Sequence, residues 1–200
     1  TLMVPERAGG DTPEDPHYGL FGAAYLTKTY LERIGLKGYD FTVSDAPARD
    51  HLDERTLKRV FGQEVFEKVI ENGHSVNRSD LPTTQSVVKD LSNRAHTFFL
   101  QVGRDAYTTS FWTRIFGVNR VVVLPSTEML PHVQATIIGL TEGTLGLSDV
   151  VPFLINNRIP KSTAEEIAHS VVNIPIAAQV ALPNFNRRPK AGDLFRNKTD

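Results

Sequence analysis

Residues 96–102 constrain the fold more than any other part of the sequence. They read His-Thr-Phe-Phe-Leu-Gln-Val and are followed by Gly103. A strand with one face in water alternates apolar and polar residues, whereas this run is almost continuously apolar. It therefore predicts a strand buried on both faces, as in parallel sheets that lie between two layers of helices.

Shorter strands and several helices alternate with this run. Residues 41–43 are aromatic or β-branched and give way to Ser44 and Asp45, and residues 121–124 are apolar up to Pro125. Strands that alternate with helices predict right-handed crossovers and an α/β fold, with a parallel sheet of which about three strands are visible. Apolar side chains at helical spacing predict helices in the following parts of the chain: residues 20–34, 53–72, 83–91, 105–116 and 128–140.

The remaining sequence predicts two further segments. We expect residues 1–143 to form the α/β domain and residues 144–182 to form a helical extension. Residues 183–200 combine proline and asparagine with basic side chains, which favours an extended tail. Such a tail either stays solvated or docks on a partner, and in the second interpretation the docking residues are Arg187, Arg188 and Phe195.

Composition and missing motifs argue against several classes of function. The formal net charge of −1 argues against a nucleic-acid partner and against an anionic membrane surface. The chain has no cysteine, hence no disulfide and no thiolate nucleophile, which suits a cytoplasmic protein. It contains neither a phosphate-binding loop nor a nucleophile-elbow motif, and no apolar run reaches the roughly 20 residues of a membrane-spanning helix. The six histidines show no metal-ligand spacing and are interpreted as surface or structurally satisfied residues.

Acidic and hydroxyl side chains are expected to meet where the predicted strands end. Asp45 follows the strand at residues 41–43, and ligands bind at the carboxyl ends of strands in open parallel sheets. Thr12 precedes the first helix and is expected at the same edge, where its hydroxyl and the Asp45 carboxylate could coordinate Mg²⁺. Asp50 could join a metal or partner site, although turns and helix N-termini also favour acidic side chains at residues 50–54.

Two charged residues follow the long strand at the same rim. Arg104 and Asp105 come directly after Gly103. They could line a surface for a partner, or Asp105 could cap the next helix. The sequence leaves both interpretations open.

This pattern resembles the later part of a von Willebrand factor A-type domain. Thr12 lies in a glycine-rich loop before a helix, and Asp45 follows at the end of the next strand. The buried Phe-Phe-Leu-Gln-Val strand, the helix after it and the short valine-rich strand are similar too, so the resemblance covers about residues 8–142. In that family a metal-ion-dependent adhesion site combines an Asp-x-Ser-x-Ser loop with a later Thr and a later Asp. Thr12 and Asp45 match these last two ligands.

The Asp-x-Ser-x-Ser loop and the strands that accompany it in the family are missing from this sequence. Because the chain begins with Thr1 rather than Met, we expect them upstream, or else the complete metal site has been lost. The strand that ends at Asp45 would then present an unpaired edge unless something covers it. The resemblance also implies a protein partner, such as an AAA+ ATPase or the missing N-terminal half, and it allows an oligomer.

The sequence thus predicts a non-enzymatic protein–protein interaction module of a larger assembly, with an incomplete Mg²⁺ site. Two alternatives stay open. The first is a metal-dependent α/β hydrolase or phosphotransferase that uses Asp45 and Asp50. The second is a structural subunit of a multiprotein complex, which a large exposed apolar patch on residues 147–182 would favour.

Overall fold

The computed structural model describes residues 14–179 and contains a three-stranded parallel sheet. Its strands are β1 (Gly38–Ser44), β2 (Ala95–Gln101) and β3 (Val121–Val123), in the order β1-β2-β3. Both strand pairs are parallel, and Gly38 lies opposite Ala95 in the register of the longer pair. Every residue of β2 is buried, as the apolar run predicted. The predicted α/β fold with a parallel sheet is confirmed.

Helices connect the strands and continue after the last one, as predicted. Parallel strands need such crossover connections because a tight turn cannot join them. A π-helical turn (Gly22–Leu26) follows the first helix, and a short 3₁₀ turn (Thr127–Met129) precedes the seventh. The described helices are α1 (Pro16–Phe21), α2 (Tyr30–Arg33), α3 (Glu54–Phe61), α4 (Val65–Glu71), α5 (Thr84–Ser92), α6 (Ala106–Phe116), α7 (Leu130–Glu142), α8 (Leu147–Asn156) and α9 (Lys161–Ser170).

The sheet separates two apolar clusters. Successive side chains of a strand point to opposite faces, so neighbouring residues of β2 enter different clusters. Phe99 packs with the layer that contains α1 and α3–α6, whereas Phe98 and Leu100 pack with α7–α9. Because Val150 of α8 and Ile167 of α9 are fully buried in the second cluster, the C-terminal helices form a layer on the sheet.

The helix predicted over residues 20–34 is wrong as one continuous element. After the π-helical turn the chain becomes extended at Thr27, and Thr29 then starts α2 with a capping box. The Thr29 hydroxyl accepts the Glu32 backbone N–H, and the Glu32 carboxylate accepts the Thr29 backbone N–H at 2.6 Å. These reciprocal bonds stabilise a new helix start, which apolar spacing alone does not reveal.

The helix predicted over residues 53–72 is also divided. Its predicted start is confirmed, because the Asp53 carboxylate caps α3 and accepts the Thr56 N–H at 2.8 Å. The helix ends at Gly62, whose φ of +97° and ψ of 163° are accessible essentially to glycine alone. The chain therefore changes direction there before α4 begins at Val65.

Candidate functional site

The loop after β1 forms the centre of the rim at the carboxyl ends of the strands. Helix α6 fixes its backbone: the indole N–H of the fully buried Trp112 donates to the Ala46 carbonyl at 2.9 Å. The Thr108 hydroxyl donates to the Asp45 carbonyl at 3.4 Å. These bonds hold the backbone of the loop, and the Asp45 side chain is exposed on the rim.

The predicted metal site is only partly within the described residues. Thr12, its second predicted ligand, lies outside them. Among residues 14–179, no group of three or more histidine, aspartate or glutamate side chains is placed to hold a metal ion. A hard divalent cation needs several oxygen ligands, and Asp45 alone supplies too few. The proposed binding of Mg²⁺ therefore stays a prediction.

The segment that enters α1 also contacts this rim. The Glu14 backbone N–H donates to the Pro47 carbonyl at 3.0 Å, and the Ser44 hydroxyl donates to the Glu14 carboxylate at 3.2 Å. Glu14 is therefore held against the residues that flank Asp45. This contact gives the rim a second carboxylate that the sequence did not predict.

Asp50 serves the local structure of the rim. Its carboxylate pairs with Arg114 at 3.3 Å, and both side chains are mostly exposed. Its backbone carbonyl accepts the Thr84 N–H at 2.9 Å, which ties the loop to the start of α5. An exposed ion pair of this kind contributes little stability, so Asp50 and Arg114 remain accessible to a partner.

Asp105 caps helix α6, which was one of the two roles predicted for it. It is the N-cap residue of α6 and accepts the Thr108 N–H at 2.6 Å. Hydrogen bonds from Thr108 hold the pKa of the Asp105 carboxyl below its usual value. Arg104 beside it is exposed. Partner binding by this pair stays a prediction, and the tail residues Arg187, Arg188 and Phe195 lie outside the described residues.

Gln101 is a rim residue that sequence reasoning missed. It is fully buried at the end of β2, and its amide N–H groups donate to the carbonyls of Gly103 and Asp105. Its side-chain oxygen accepts the Thr109 hydroxyl at 2.7 Å. Gln101 thus fixes the turn that presents Arg104. A polar residue inside an apolar strand was the only sequence signal for it.

His17 corrects the interpretation of the histidines as surface or satisfied residues. Its side chain is completely buried, and neither ring nitrogen has a partner at normal hydrogen-bond geometry among residues 14–179, although the Asp15 carboxylate lies 4.0 Å from Nε2 and the His51 backbone is close enough to affect the pKa. Burial lowers the pKa of its imidazole from 6.5 to about 4, although the nearby Asp15 and Asp53 carboxylates act in the opposite direction. The native structure therefore keeps His17 neutral near pH 7.

Among residues 14–179, no strand pairs with the outer side of β1. The Gly38 N–H donates to the Arg94 carbonyl at 3.1 Å, and the Ser44 carbonyl accepts the Val102 N–H at 3.0 Å. Both residues thus direct their backbone groups towards β2. Because this direction alternates along a strand, Tyr39, Phe41 and Val43 direct theirs away from the sheet. In the part of the chain that the structure describes, no residue hydrogen-bonds to these outward groups.

Apolar side chains accompany this open edge. The rings of Tyr39 and Phe41 are stacked with their centroids 6.3 Å apart. Phe41 is also stacked on Phe98, with a centroid separation of 5.6 Å. Val43 is 39% exposed. The charged residue of β1 is Asp40, and burial raises the pKa of its carboxyl. Strand edges of natural proteins usually carry lysine, proline or a bulge that prevents pairing, and β1 has none of these.

Comparison with known proteins adds no assignment. Searches of protein-family models, curated proteins and solved structures each found no significant match to this chain. The resemblance to a von Willebrand factor A-type domain therefore stays a prediction. None of the helices within residues 14–179 is long and apolar enough to cross a membrane.

Proposed function

We propose that this chain is a non-enzymatic protein–protein interaction module that binds an extended segment of a partner along β1. The observation that carries this proposal is the outward direction of the backbone groups of Tyr39, Phe41 and Val43. A bound strand would supply the missing hydrogen bonds, and the side chains of β1 would give it specificity.

A parallel strand fits this edge best. The existing sheet is entirely parallel, and helices cover both of its faces. A fourth parallel strand would extend this arrangement and would shield Tyr39 and Phe41 from water. The first half of a von Willebrand A-type sheet would provide such a strand, as the resemblance implies. Partner classes such as an AAA+ ATPase rest on that resemblance alone.

The strand-end rim would flank the bound segment. A parallel strand added beside β1 would end near Asp45, next to the exposed Asp50–Arg114 pair and within the same rim as Arg104. Charged side chains at the edge of an interface set the orientation and the association rate of a partner. A divalent metal at Asp45 would add to this contact if the partner or the upstream sequence supplied further ligands.

The structural-subunit alternative has one supporting observation. Leu147 and Ile155 lie on one side of α8, eight residues apart, and are 39% and 42% exposed. Val172 and Ile176 are also exposed beyond α9. Apolar side chains exposed on one helix favour a packing contact in an assembly. For the hydrolase alternative, which uses Asp45 and Asp50 with a metal, no group of three or more ligating side chains is placed to hold a metal ion among residues 14–179.

A pair of proline substitutions tests which groups of β1 are free. Val43→Pro removes an outward N–H and should leave the thermal midpoint close to that of the native chain. Thr42→Pro removes an N–H that faces β2 and should lower the midpoint clearly. If the two variants are equally destabilised, the assignment of the open edge is wrong.

Binding is then tested with the folded variant and a matched control. The tagged full chain, Val43→Pro and Val43→Thr are each expressed in cells that contain the natural partners, and the retained proteins are identified by mass spectrometry. The proposal predicts a protein retained by the native chain and by Val43→Thr but lost with Val43→Pro. Identical sets of retained proteins would contradict it. Sedimentation of the purified chain separately reports whether a second copy occupies the edge.

A further inference from the structure

A cleft of about 720 Å³ lies at the amino ends of the strands, opposite the rim at their carboxyl ends. Arg94 in its wall directly precedes β2, and the π-helical turn, α2 and the ends of α4 and α5 complete the walls. Its volume falls in the range of small-molecule sites. The charged and titratable side chains that line it are Tyr25, Lys28, Glu32, Arg33, His74, Asp90 and Arg94.

The π-helical turn shapes this cleft. A π turn is wider than an α-helical turn, is rare, and is frequent at functional sites. The Arg94 guanidinium donates to the Ala24 carbonyl at 2.7 Å and also to the Thr27 carbonyl. The Asn72 amide donates to the Tyr25 carbonyl at 3.1 Å. These bonds fix the turn and make the cleft a preformed feature of the fold.

Both carboxylates of the cleft already have partners. Glu32 accepts the Arg94 guanidinium in a two-point contact, with N–O distances of 2.5 and 2.9 Å. Asp90 accepts the Tyr25 hydroxyl at 2.6 Å. The Glu32 charge is therefore compensated by Arg94, whereas Asp90 keeps its negative charge and uses part of its accepting capacity for Tyr25. A bound cation would have to compete with these contacts.

The cations at the mouth of the cleft, in contrast, have no partner among the described residues. Lys28 and Arg33 are exposed and make neither an ion pair nor a side-chain hydrogen bond with residues 14–179. Burial first, and then the positive charges of Arg94 and Lys28, hold the pKa of His74 below its usual value, while Glu32 and Asp90 act in the opposite direction. With Lys28, Arg33 and Arg94 against Glu32 and Asp90, the side chains that line the cleft carry a net positive charge.

The His74 side chain is one of those that line the cleft, and its ring has one donor. Its Nε2 lies 3.2 Å from a guanidinium nitrogen of Arg94. A guanidinium only donates, so Nε2 accepts and the neutral ring carries its proton on Nδ1. No described residue accepts that N–H.

We propose that this cleft binds a small anion that carries phosphate or carboxylate groups. Lys28 and Arg33 would neutralise its charge, the His74 Nδ1–H would donate to it, and Arg94 would hold the wall in place. The site is separate from the β1 edge, so it adds a ligand-binding activity to the proposed interaction module.

The test follows the His74 imidazole of the full chain by NMR while pyrophosphate or citrate is added at constant ionic strength. Saturable shifts with either probe, together with a rise in the pKa of His74, support the site. Which probe binds more tightly identifies phosphate or carboxylate as the preferred group. The absence of a saturable change with both probes overturns the proposal.

Matched variants locate the binding. The exposed double substitution Lys28→Ala/Arg33→Ala should weaken the tighter probe about tenfold, because two favourable ion contacts are lost. The control Lys68→Ala/Lys161→Ala removes the same charge from exposed helix positions and should bind normally. Equal binding by the two double variants overturns the proposal. Val43→Pro should also bind the anionic probe normally. A failure of the anion site can therefore be distinguished from a failure of the proposed β1 interface.

Discussion

The buried His17 should make the stability of this protein depend on pH. The unfolded chain would titrate His17 near pH 6.5, whereas in the native structure burial lowers the pKa to about 4. The unfolded state therefore binds more protons than the native state between these values. Stability is fully present above pH 6.5 and is lost as the pH falls towards 4.

The size of this effect follows from the change in pKa. Each pKa unit corresponds to about 1.36 kcal/mol, so His17 should account for about 3 kcal/mol in total. Roughly 2.5 kcal/mol of this loss should occur between pH 7 and pH 4.5. A domain has only about 5–15 kcal/mol of stability, so the change is easily measured.

Urea denaturation at the two pH values tests this reasoning with His17→Leu and His17→Gln. Either substitution should reduce the loss of stability between pH 7 and pH 4.5 by roughly 2.5 kcal/mol relative to the native chain. A carboxylate with a lowered pKa that is not among the groups acting on His17, such as Asp105, titrates in all three proteins and cancels in the comparison.

The two variants place different side chains at the buried position 17. At pH 7 His17→Leu should be neutral or stabilising, because it replaces a buried polar ring that has no hydrogen bond. His17→Gln keeps a polar group there and should be the less stable of the two. An unchanged pH dependence in both variants would show that His17 is not held neutral by burial.

Two further predictions concern the core and the metal. Phe99→Ala should lower the free energy of unfolding by about 3–5 kcal/mol, because Phe99 is fully buried and its ring centroid lies 4.3 Å from that of Trp112. A denaturation midpoint near that of the native chain would refute the place of Phe99 in the core. Isothermal titration of this chain with Mg²⁺ should show weak binding or none, since Thr12 and Asp45 are the only two ligands of the presumed adhesion site in this sequence and a small hard ion needs several oxygen ligands. Micromolar binding that Asp45→Ala abolishes would instead indicate a self-sufficient metal site and favour the hydrolase alternative.

Much of the fold could be predicted because its signals are local. The apolar run at residues 96–102 required burial on both faces, and β2 is the fully buried central strand. Asp53, Thr83 and Asp105 stand where side-chain oxygens can cap a helix, and all three cap one. These features depend on residues within one turn or one strand, so the sequence shows them directly.

The candidate sites were less predictable because they depend on distant residues. His17 carries no spacing signal, and its burial results from packing with elements far away in sequence. The cleft forms where Arg94 meets the carbonyls of Ala24 and Thr27, about seventy positions earlier in the chain. The role of Gln101 likewise appears only once α6 packs against the strand end.

The sequence by itself determined the types of most elements, the parallel sheet and the residues at the strand ends. These follow from side-chain periodicity, turn residues and helix caps, which act over a few positions. The resemblance already implied that the strand ending at Asp45 would be an edge, and only the tertiary structure decided the strand order and which backbone groups of β1 point outward. The physical reason is that hydrogen bonding between strands and packing of helices on a sheet join residues far apart in sequence. An unpaired edge and an electropositive cleft exist only after those long-range contacts have formed.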